Sequence, residues 1–567
     1  MSLTGALNIG KNALAINQAA IQTIGNNISN VGNANYTRQR VDLATARDQK
    51  LRTGVFVGSG VQLDGIRRQI DDALEGRLRN TNSESQGADV QQQWFSRVES
   101  VFNELSNKDL STQLSGFFNA WNGLANKPQD LGLRQVVLQS GSSVTSWFHQ
   151  MSGNIQSLRG DLNDKVRGAA VSADQLASKI ASLNVEIARA EAGLGSANGL
   201  RDQRDALLKG LSEIVEIRTV EQGNGVTNVY VGSDPLVFDG RSLGVTTVND
   251  TDADGNNYVK VIFKSNNGEI KSANGQLGGF EKIRTVLNET NAEFDELASA
   301  LAFELNKVHS SGQGLEGFTS VIGSATLTDT TVALNDPASG LRQVPAGGSF
   351  VVHVKDKASG LSTSTLINID LDGQGADTSL DGLITQLDAV DGITAVSNGG
   401  RLQISADNAP ATEISFSQDS SGALAALGVN TFFTGTDAGN IEVSAALKAR
   451  PQLLAAARNG DSGDNQTARA IAALETQALA SLGGSTLQSS YEGMVNTVAI
   501  RSTTASADAE ASAAALETMQ GQHEALSGVS LDEEAINLMK YQRAFQGAAR
   551  LVSVVNDMMD TMLGLVR

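Results

Sequence analysis

Cysteine is missing from all 567 positions, which removes disulfides, thiolate metal sites and thiol nucleophiles together and leaves stability to packing. Proline is scarce: Pro128, Pro235, Pro337, Pro345, Pro410 and Pro451 all stand well inside the chain. Long helices therefore meet no breaker near either end. Rings make up only 4% of the residues while 58 are glycine, so small and aliphatic side chains must fill the cores. No run approaches the roughly 18 apolar residues that span a bilayer. Positive charge is in deficit, with a formal net charge of -19. Binding nucleic acid needs clustered cations that displace counterions, so neither nucleic acid nor a membrane is an expected partner. Residues 1–80 depart from this balance with an excess of basic residues, among them Arg38, Arg40, Arg67, Arg68, Arg77 and Arg79. Mixed charge of that kind reads as a solvated helix surface.

Signs of chemistry are also missing. The four histidines, His149, His309, His353 and His523, have no second ligand at metal spacing and read as ordinary surface or helix residues. No Gly-x-Ser-x-Gly elbow exists. Asp250-Thr-Asp252-Ala-Asp254-Gly255 matches the first half of a calcium loop, but Val261 stands where a bidentate Glu belongs, so an acidic hairpin turn is expected. Asp370-Leu-Asp372-Gly373 and Asp461-Ser-Gly-Asp464 are weaker versions of the same turn, and Gly58-Ser-Gly60 is a turn without the helix a phosphate site requires. The expectation is a protein with no catalytic residue, no cofactor and no metal.

What is present is periodicity. Apolar positions alternate by four and three through Leu3, Leu7, Gly10, Leu14, Asn17, Ile21, Ile24, Ile28 and Val31. The same spacing returns through Leu531, Ala535, Leu538, Gln542, Phe545, Ala549, Val552, Asn556, Met559 and Leu563, widened by Leu551, Val555, Met558 and Met562. Both ends read as amphipathic helices with a coiled-coil seam. Burial of such a seam yields ~1.5–3 kcal/mol per position, which no more than matches the ~1–2 kcal/mol lost in ordering each backbone residue. Each helix therefore needs a partner, and Leu7, Leu14, Ile21, Ile24, Ile28, Val31, Leu531, Leu538, Phe545, Val552, Met559 and Leu563 are the candidate subunit-interface residues. Helical spacing recurs at 144–162, 176–187 and 294–305, and alanine-rich helices are expected over about 445–520. Between them, 214–279 and 317–439 carry short β-type runs, such as Thr227–Val231, Tyr258–Phe263, Ser349–Lys355, Thr365–Asp370 and Arg401–Ser405, among Gly and Asn turns.

The length exceeds what one core organises. The order helix, β, helix, β, helix predicts an α+β fold: a long helical, coiled-coil framework from both chain ends that meet, with β-rich domains inserted. The expected domains are 1–70 with 525–567 as a terminal helical layer, 71–312 with 441–524 as a mainly helical part holding a small β-part near 214–280, and 313–440 as an outer β-rich insertion.

Specific stretches then stand out. Asn26-Asn-Ile-Ser-Asn-Val31, Asn35-Tyr-Thr-Arg-Gln39 and Val57-Gly-Ser-Gly-Val61 follow the first helix, and Ser530-Leu-Asp-Glu-Glu-Ala-Ile-Asn-Leu-Met-Lys-Tyr-Gln-Arg543 opens the last. These resemble the end signatures of the bacterial flagellar rod and hook axial proteins, with Asn33-Ala-Asn35 in place of a Pro-Gly-type turn. Leu200-Arg-Asp-Gln-Arg-Asp-Ala-Leu-Leu208 and Leu297-Ala-Ser-Ala-Leu-Ala-Phe-Glu-Leu-Asn-Lys-Val-His309 resemble the hook-associated members of that family. The resemblance implies a structural subunit at the hook to filament junction, needed for filament assembly. It implies self-association in the axial assembly, contact with the hook protein and with the next hook-associated protein towards the filament, and an export chaperone at the C-terminal region. It further implies an extracellular flagellar location reached by type III export without a cleaved signal, in keeping with a first stretch, Met1 to Leu14, that lacks an apolar signal core. Two other readings stay open: another axial protein such as the hook subunit, or a secreted adhesin or hydrolase that uses axial ends for export.

Overall fold

In the computed structural model, which describes residues 3–565 except 53, 104–108, 194 and 254, long helices alternate with small antiparallel sheets. Helix α1 (Leu3–Ser29) leads into a ribbon of β1 (Gln39–Thr45), β2 (Gln49–Arg52), β3 (Val55–Val57) and β4 (Val61–Arg68), in which β1 pairs with β4 and β2 with β3. Helices α2 (Asp72–Asn103), α3 (Leu110–Asn126), α4 (Leu131–Ala190) and α5 (Asn198–Ile214) follow. Strands β5 (Arg218–Glu221), β6 (Thr227–Val231), β7 (Asp234–Phe238) and β8 (Arg241–Ser242) make one sheet, and β9 (Val245–Thr251) pairs with β10 (Asn257–Phe263). After α6 (Gly275–Ser310) come β11 (Ser320–Ile322), β12 (Gly348–Asp356), β13 (Ser362–Ile369), α7 (Leu380–Asp388), β14 (Ile393–Asn398), β15 (Arg401–Ala406), β16 (Thr412–Ser417) and α8 (Ala423–Leu427), in two sheets ordered β11-β15-β14 and β13-β12-β16. The chain closes with α9 (Ala445–Ala449), α10 (Gln466–Ala473), α11 (Leu487–Ser527) and α12 (Leu531–Leu565). No helix among the described residues is long and apolar enough to cross a membrane.

The residues gather into two compact units. One comprises Met1–Trp94, Asp161–Ile283 and Thr503–Arg567, the other Phe95–Gly160 and Arg284–Ser502. Both chain ends belong to the first unit, as the element order predicts, and the α+β class holds. Two local expectations change. The ribbon β1–β4 occupies a stretch with no strand signal beyond its turns. The alanine-rich stretch is interrupted, because Pro451 cannot continue a helix and Gly460, Gly483 and Gly484 take positive φ, leaving only 3-10 turns between α9, α10 and α11. The acidic hairpin turn joins β9 to β10 with Asp252 accepting from the Asn256 N–H; its Asp254 lies outside the described residues.

The scarce rings concentrate in the second unit, where Phe117, Trp121, Phe432 and Phe433 pack with centroids 4.7 to 6.3 Å apart. Gly141 of α4 admits this cluster, since a Cβ there would stand 2.7 Å from Phe432. The last turns of α6 pin the loop that carries the rings. Asn306 accepts from the N–H groups of Phe432 and Phe433 and donates to the Phe433 carbonyl. His309 is 0% exposed, so it is no surface histidine. Its Nδ1 donates to the Asn430 carbonyl at 2.8 Å and its Nε2 accepts from the Ala455 N–H at 3.1 Å, which fixes one neutral tautomer.

Burial pushes the His309 imidazole down to about 4; the Asn430 carbonyl opposes this and the Arg134 charge adds to it. The unfolded chain takes up this proton near 6.5 and the folded chain refuses it, so the contribution is whole above pH 6.5 and lost as pH falls towards 4. The loss is roughly 3 kcal/mol. Urea unfolding of the full chain followed by tryptophan fluorescence is expected to show this slope for the transition of the second unit, and His309→Leu to flatten it while lowering the plateau at neutral pH.

Candidate assembly site

Helices α1 and α12 pack side by side and antiparallel: Gly10 meets Val552 at one end and Asn27 meets Glu534 at the other. The approach is close at Gly10, where a Cβ would lie 2.6 Å from Val552 Cγ2. On α1 the buried residues are Gly10, Ile16, Asn17, Ala20, Thr23, Ile24 and Asn27, and on α12 they are Glu534, Ala548 and Val555. This stripe coincides with the sequence seam at Gly10, Asn17 and Ile24 and runs one residue earlier at Ala20 and Asn27. Of the candidate interface residues, Ile24 is buried; Leu7, Leu14, Ile21, Ile28, Leu538, Val552 and Met559 are half-buried. Val31, Leu531, Phe545 and Leu563 are exposed, and so are Ile536, Met539, Leu551, Val554, Met558 and Met562. Pairing within the chain therefore covers one side of α12 and leaves a second apolar side open, larger than scattered surface residues account for.

A polar clamp closes the end of this pair. Asn27 is 1% exposed and is its hub. Its Nδ2 donates to the Gln39 carbonyl at 2.8 Å and to Glu534 Oε2 at 3.1 Å, and its Oδ1 accepts from the Tyr36 hydroxyl at 2.7 Å and the Gln39 N–H at 3.1 Å. Burial, together with the Asp202 and Glu534 charges, pushes the Tyr36 phenol up to about 12, which keeps its proton available for Asn27. Arg38 bridges Glu533 at 2.5 Å and Glu534 at 2.7 Å, while its backbone N–H donates to the Ser527 carbonyl at the end of α11.

The interior motif meets the same clamp. Arg68, at the end of β4, donates to Asp202 at 2.9 Å and Asp205 at 2.6 Å on α5, and the Asn198 amide donates to the Ile66 carbonyl. Burial pulls the Arg68 guanidinium down, but Asp205 and Asp202 outweigh it and hold the charge. On the other side of α5, Arg201 grips both oxygens of Glu191 at 2.7 and 2.8 Å, and Arg204 donates to the Gly225 carbonyl and to Glu221. His523 of α11 pairs with Glu75 of α2 at 2.6 Å, and that bond raises the His523 imidazole in spite of its burial.

Arg38 and Arg68 are thus no solvated helix face: their side chains are 15% and 7% exposed, flank the ribbon and are held by carboxylates. Arg40 and Arg67 do remain exposed. Sequence spacing could not assign these partners, because Glu534 and Asp202 lie far along the chain from the arginines they hold. Among the described residues, Asp370, Asp372 and Asp377 bring three carboxylates together, yet Asp372 and Asp377 accept from the N–H groups of Gln374 and Gly373 and brace their own turn. The arrangement around Asn27 ties two helices and a ribbon together.

The comparisons with known proteins all point to flagellar proteins. The family model described as the flagellar hook-associated protein FlgK helical domain matches residues 95–323, and the one described as the flagellar basal body rod FlgEFG protein C-terminal matches residues 520–565. The chain is 24% identical to flagellar hook-associated protein 1 of Escherichia coli K12, over 99% of this chain and 100% of that protein. It is 25% identical to the protein of the same name from Salmonella typhimurium LT2, with 99% and 100% covered, and 24% identical to that of Bacillus subtilis 168, with 98% and 97% covered. The solved structure of the flagellar hook junction protein FlgK from Burkholderia pseudomallei shares the fold with a TM-score of 0.50 at 16% identity, over 80% of this chain and 100% of that one.

Removing the hub strands buried partners, at a cost of about 1–3 kcal/mol. Asn27→Ala is expected to raise hydrogen exchange in α1 and α12 together, measured peptide by peptide by mass spectrometry, while peptides of 300–310 and 430–433 keep their protection. Loss of protection confined to α1 would show that the clamp does not couple the two helices.

Proposed function

We propose that the chain, similar over its length to flagellar hook-associated protein 1, belongs to the hook-associated proteins of the flagellar rod and hook axial family and is the structural subunit that joins hook to filament and is needed for filament assembly. The observation that carries this is the antiparallel pair α1/α12, locked by Asn27, Arg38 and Glu534 and still presenting Ile536, Met539, Leu551, Val554 and Met558 to solvent. A helix with one apolar face satisfied and another bare is suited to packing among copies of itself. Leu7, Leu14, Ile21, Ile24, Ile28, Val31, Leu531, Leu538, Phe545, Val552, Met559 and Leu563 are assigned to that packing, with the half-buried members shared between the chain's own pair and its neighbours.

The other parts of the proposal follow from the same family. Residues 1–70 with 525–567 form the axial core layer, 71–312 with 441–524 the helical layer, and 313–440 the outward β-rich insertion. The partners are further copies, the hook protein and the next hook-associated protein towards the filament, with an export chaperone on the C-terminal region before assembly. The protein leaves the cell through the flagellar export channel without a cleaved signal and works mechanically, with no catalytic activity.

Deleting the gene and complementing with the full chain or with a chain lacking 530–567 tests this. The full chain is expected to restore swimming, and the truncated one to leave hooks without filaments and flagellin unpolymerised in the medium. Normal filaments in the deletion strain would refute the junction role.

A further inference from the structure

The ribbon β1–β4 is a poor fold by itself. Each of its ladders has two strands, and a two-stranded ribbon has marginal stability unless something covers a face. Leu43 and Leu63 stand opposite each other in register and are 45% and 43% exposed. Phe56, across from Lys50, is 61% exposed. An apolar cross-strand pair is the kind of contact that stabilises sheets when it is buried, and here it faces solvent.

The ribbon is also basic in an acidic chain. Residues 39–68 carry six cations (Arg40, Arg47, Lys50, Arg52, Arg67, Arg68) against three anions (Asp42, Asp48, Asp64). Arg47 and Lys50 are exposed and make no ion pair among the described residues. The opposite imbalance lies elsewhere in the same unit. From 503 to 534 there is no Lys or Arg, while Asp508, Glu510, Glu517 and Glu524 are exposed on α11. One row of α11 faces inward, with Ala505 and Ala509 buried and Ser512, Leu516, Met519 and His523 half-buried. From Ala507 to Glu517 every exposed residue is alanine or a carboxylate, a low-relief helix face that another backbone can approach closely.

Resting on the reading of the chain as a self-associating axial subunit, we propose that the β1–β4 ribbon of one copy docks on the acidic, alanine-rich face of α11 in a neighbouring copy. Ribbon and helix face are both exposed in the single chain, so neither covers the other there. The occupant is a second copy because one sequence carries both halves of the charge complement. Arg47 and Lys50 approach Glu510 and Glu517, and Phe56 with the Leu43/Leu63 pair covers the alanines between. Two different patches in contact make a heterologous interface, which propagates from copy to copy into a ring or a helix, the symmetry an axial assembly requires. Opposed charge fixes which copies pair and in what register, and excludes ribbon-to-ribbon contact between like charges.

The absence of cysteine gives a direct test, because engineered thiols are then the only ones in the chain. Phe56→Cys and Glu517→Cys are introduced singly and together into the full chain, expressed in the deletion strain, and intact flagella are oxidised. The expected result is cross-linked dimers and longer multimers of this chain for the double variant and none for either single variant. In parallel, Arg47→Glu with Lys50→Glu is expected to lower the number of filaments per cell roughly tenfold or more, as like charges meet across the contact. Adding Glu510→Lys and Glu517→Lys to the same chain should restore it. The substituted residues are exposed, and secretion of each variant into the medium checks that it folds and is exported. If the wild-type chain complements while no multimer forms and reversal leaves filaments unchanged, the docking is wrong and the junction role stands. Cross-linking of the ribbon to a different protein also overturns it. If the wild-type chain fails to complement, the junction role falls and this inference falls with it.

Discussion

The first unit depends on one buried contact between the two ends of the chain, the meeting of Asn27 and Arg38 with Glu534. Glu534 is 2% exposed, and a carboxylate that far from water is tolerated only when paired and hydrogen-bonded. Arg38 and the Asn27 amide supply both requirements, and Tyr36 and Gln39 satisfy the rest of Asn27. The contact has one geometry in which every group is satisfied, so it sets the register of α1 against α12 as well as their proximity. Seams of Ala, Gly and Ile slide more easily than they separate, and a polar residue in the seam is what distinguishes one register from the next.

From that contact the ribbon and α5 inherit their positions. Arg38 ends the loop that leads into β1, and Arg68 ends β4, so the two strands of the longer ladder are anchored at their base by Glu533 and Glu534 on one side and Asp202 and Asp205 on the other. The anchoring is electrostatic and directional where the helix pair is apolar and permissive. The division is physical: the apolar faces of α12 set no direction, and the guanidinium–carboxylate bonds do.

The second unit solves a different problem with the same economy of residue types. Phe117, Trp121, Phe432 and Phe433 lie together, and the polar groups Asn306 and His309 hold the backbone of residues 430–433 beneath α6. Using a neutral histidine as both donor and acceptor satisfies two buried backbone groups with one side chain, and makes this unit sensitive to acid for a reason unrelated to its surface charge.

Much of this was readable in the sequence. The period of apolar residues placed α1, α4, α6 and α12; alternation between Gly and Asn turns placed β6, β10, β12 and β15; and missing prolines allowed the terminal helices their length. These are local properties, because helix and strand periods are set by neighbours a few residues apart. The ribbon β1–β4 escaped because both of its faces are half-open, so its residues do not alternate cleanly, and the helix seam was displaced by one residue at Ala20 and Asn27 because small and polar side chains, not the larger Ile21 and Ile28, fit between the close-packed helices. The sequence by itself determined that both terminal segments and much of α4 and α6 are helical, that the terminal helices need partners, and that the chain ends carry a family signature. Only the tertiary structure decided that Arg38 and Arg68 are half-buried counter-ions and that His309 is a core residue, because the carboxylates and carbonyls that hold them come from segments distant in sequence, and no local pattern encodes a partner that folding alone brings within 3 Å.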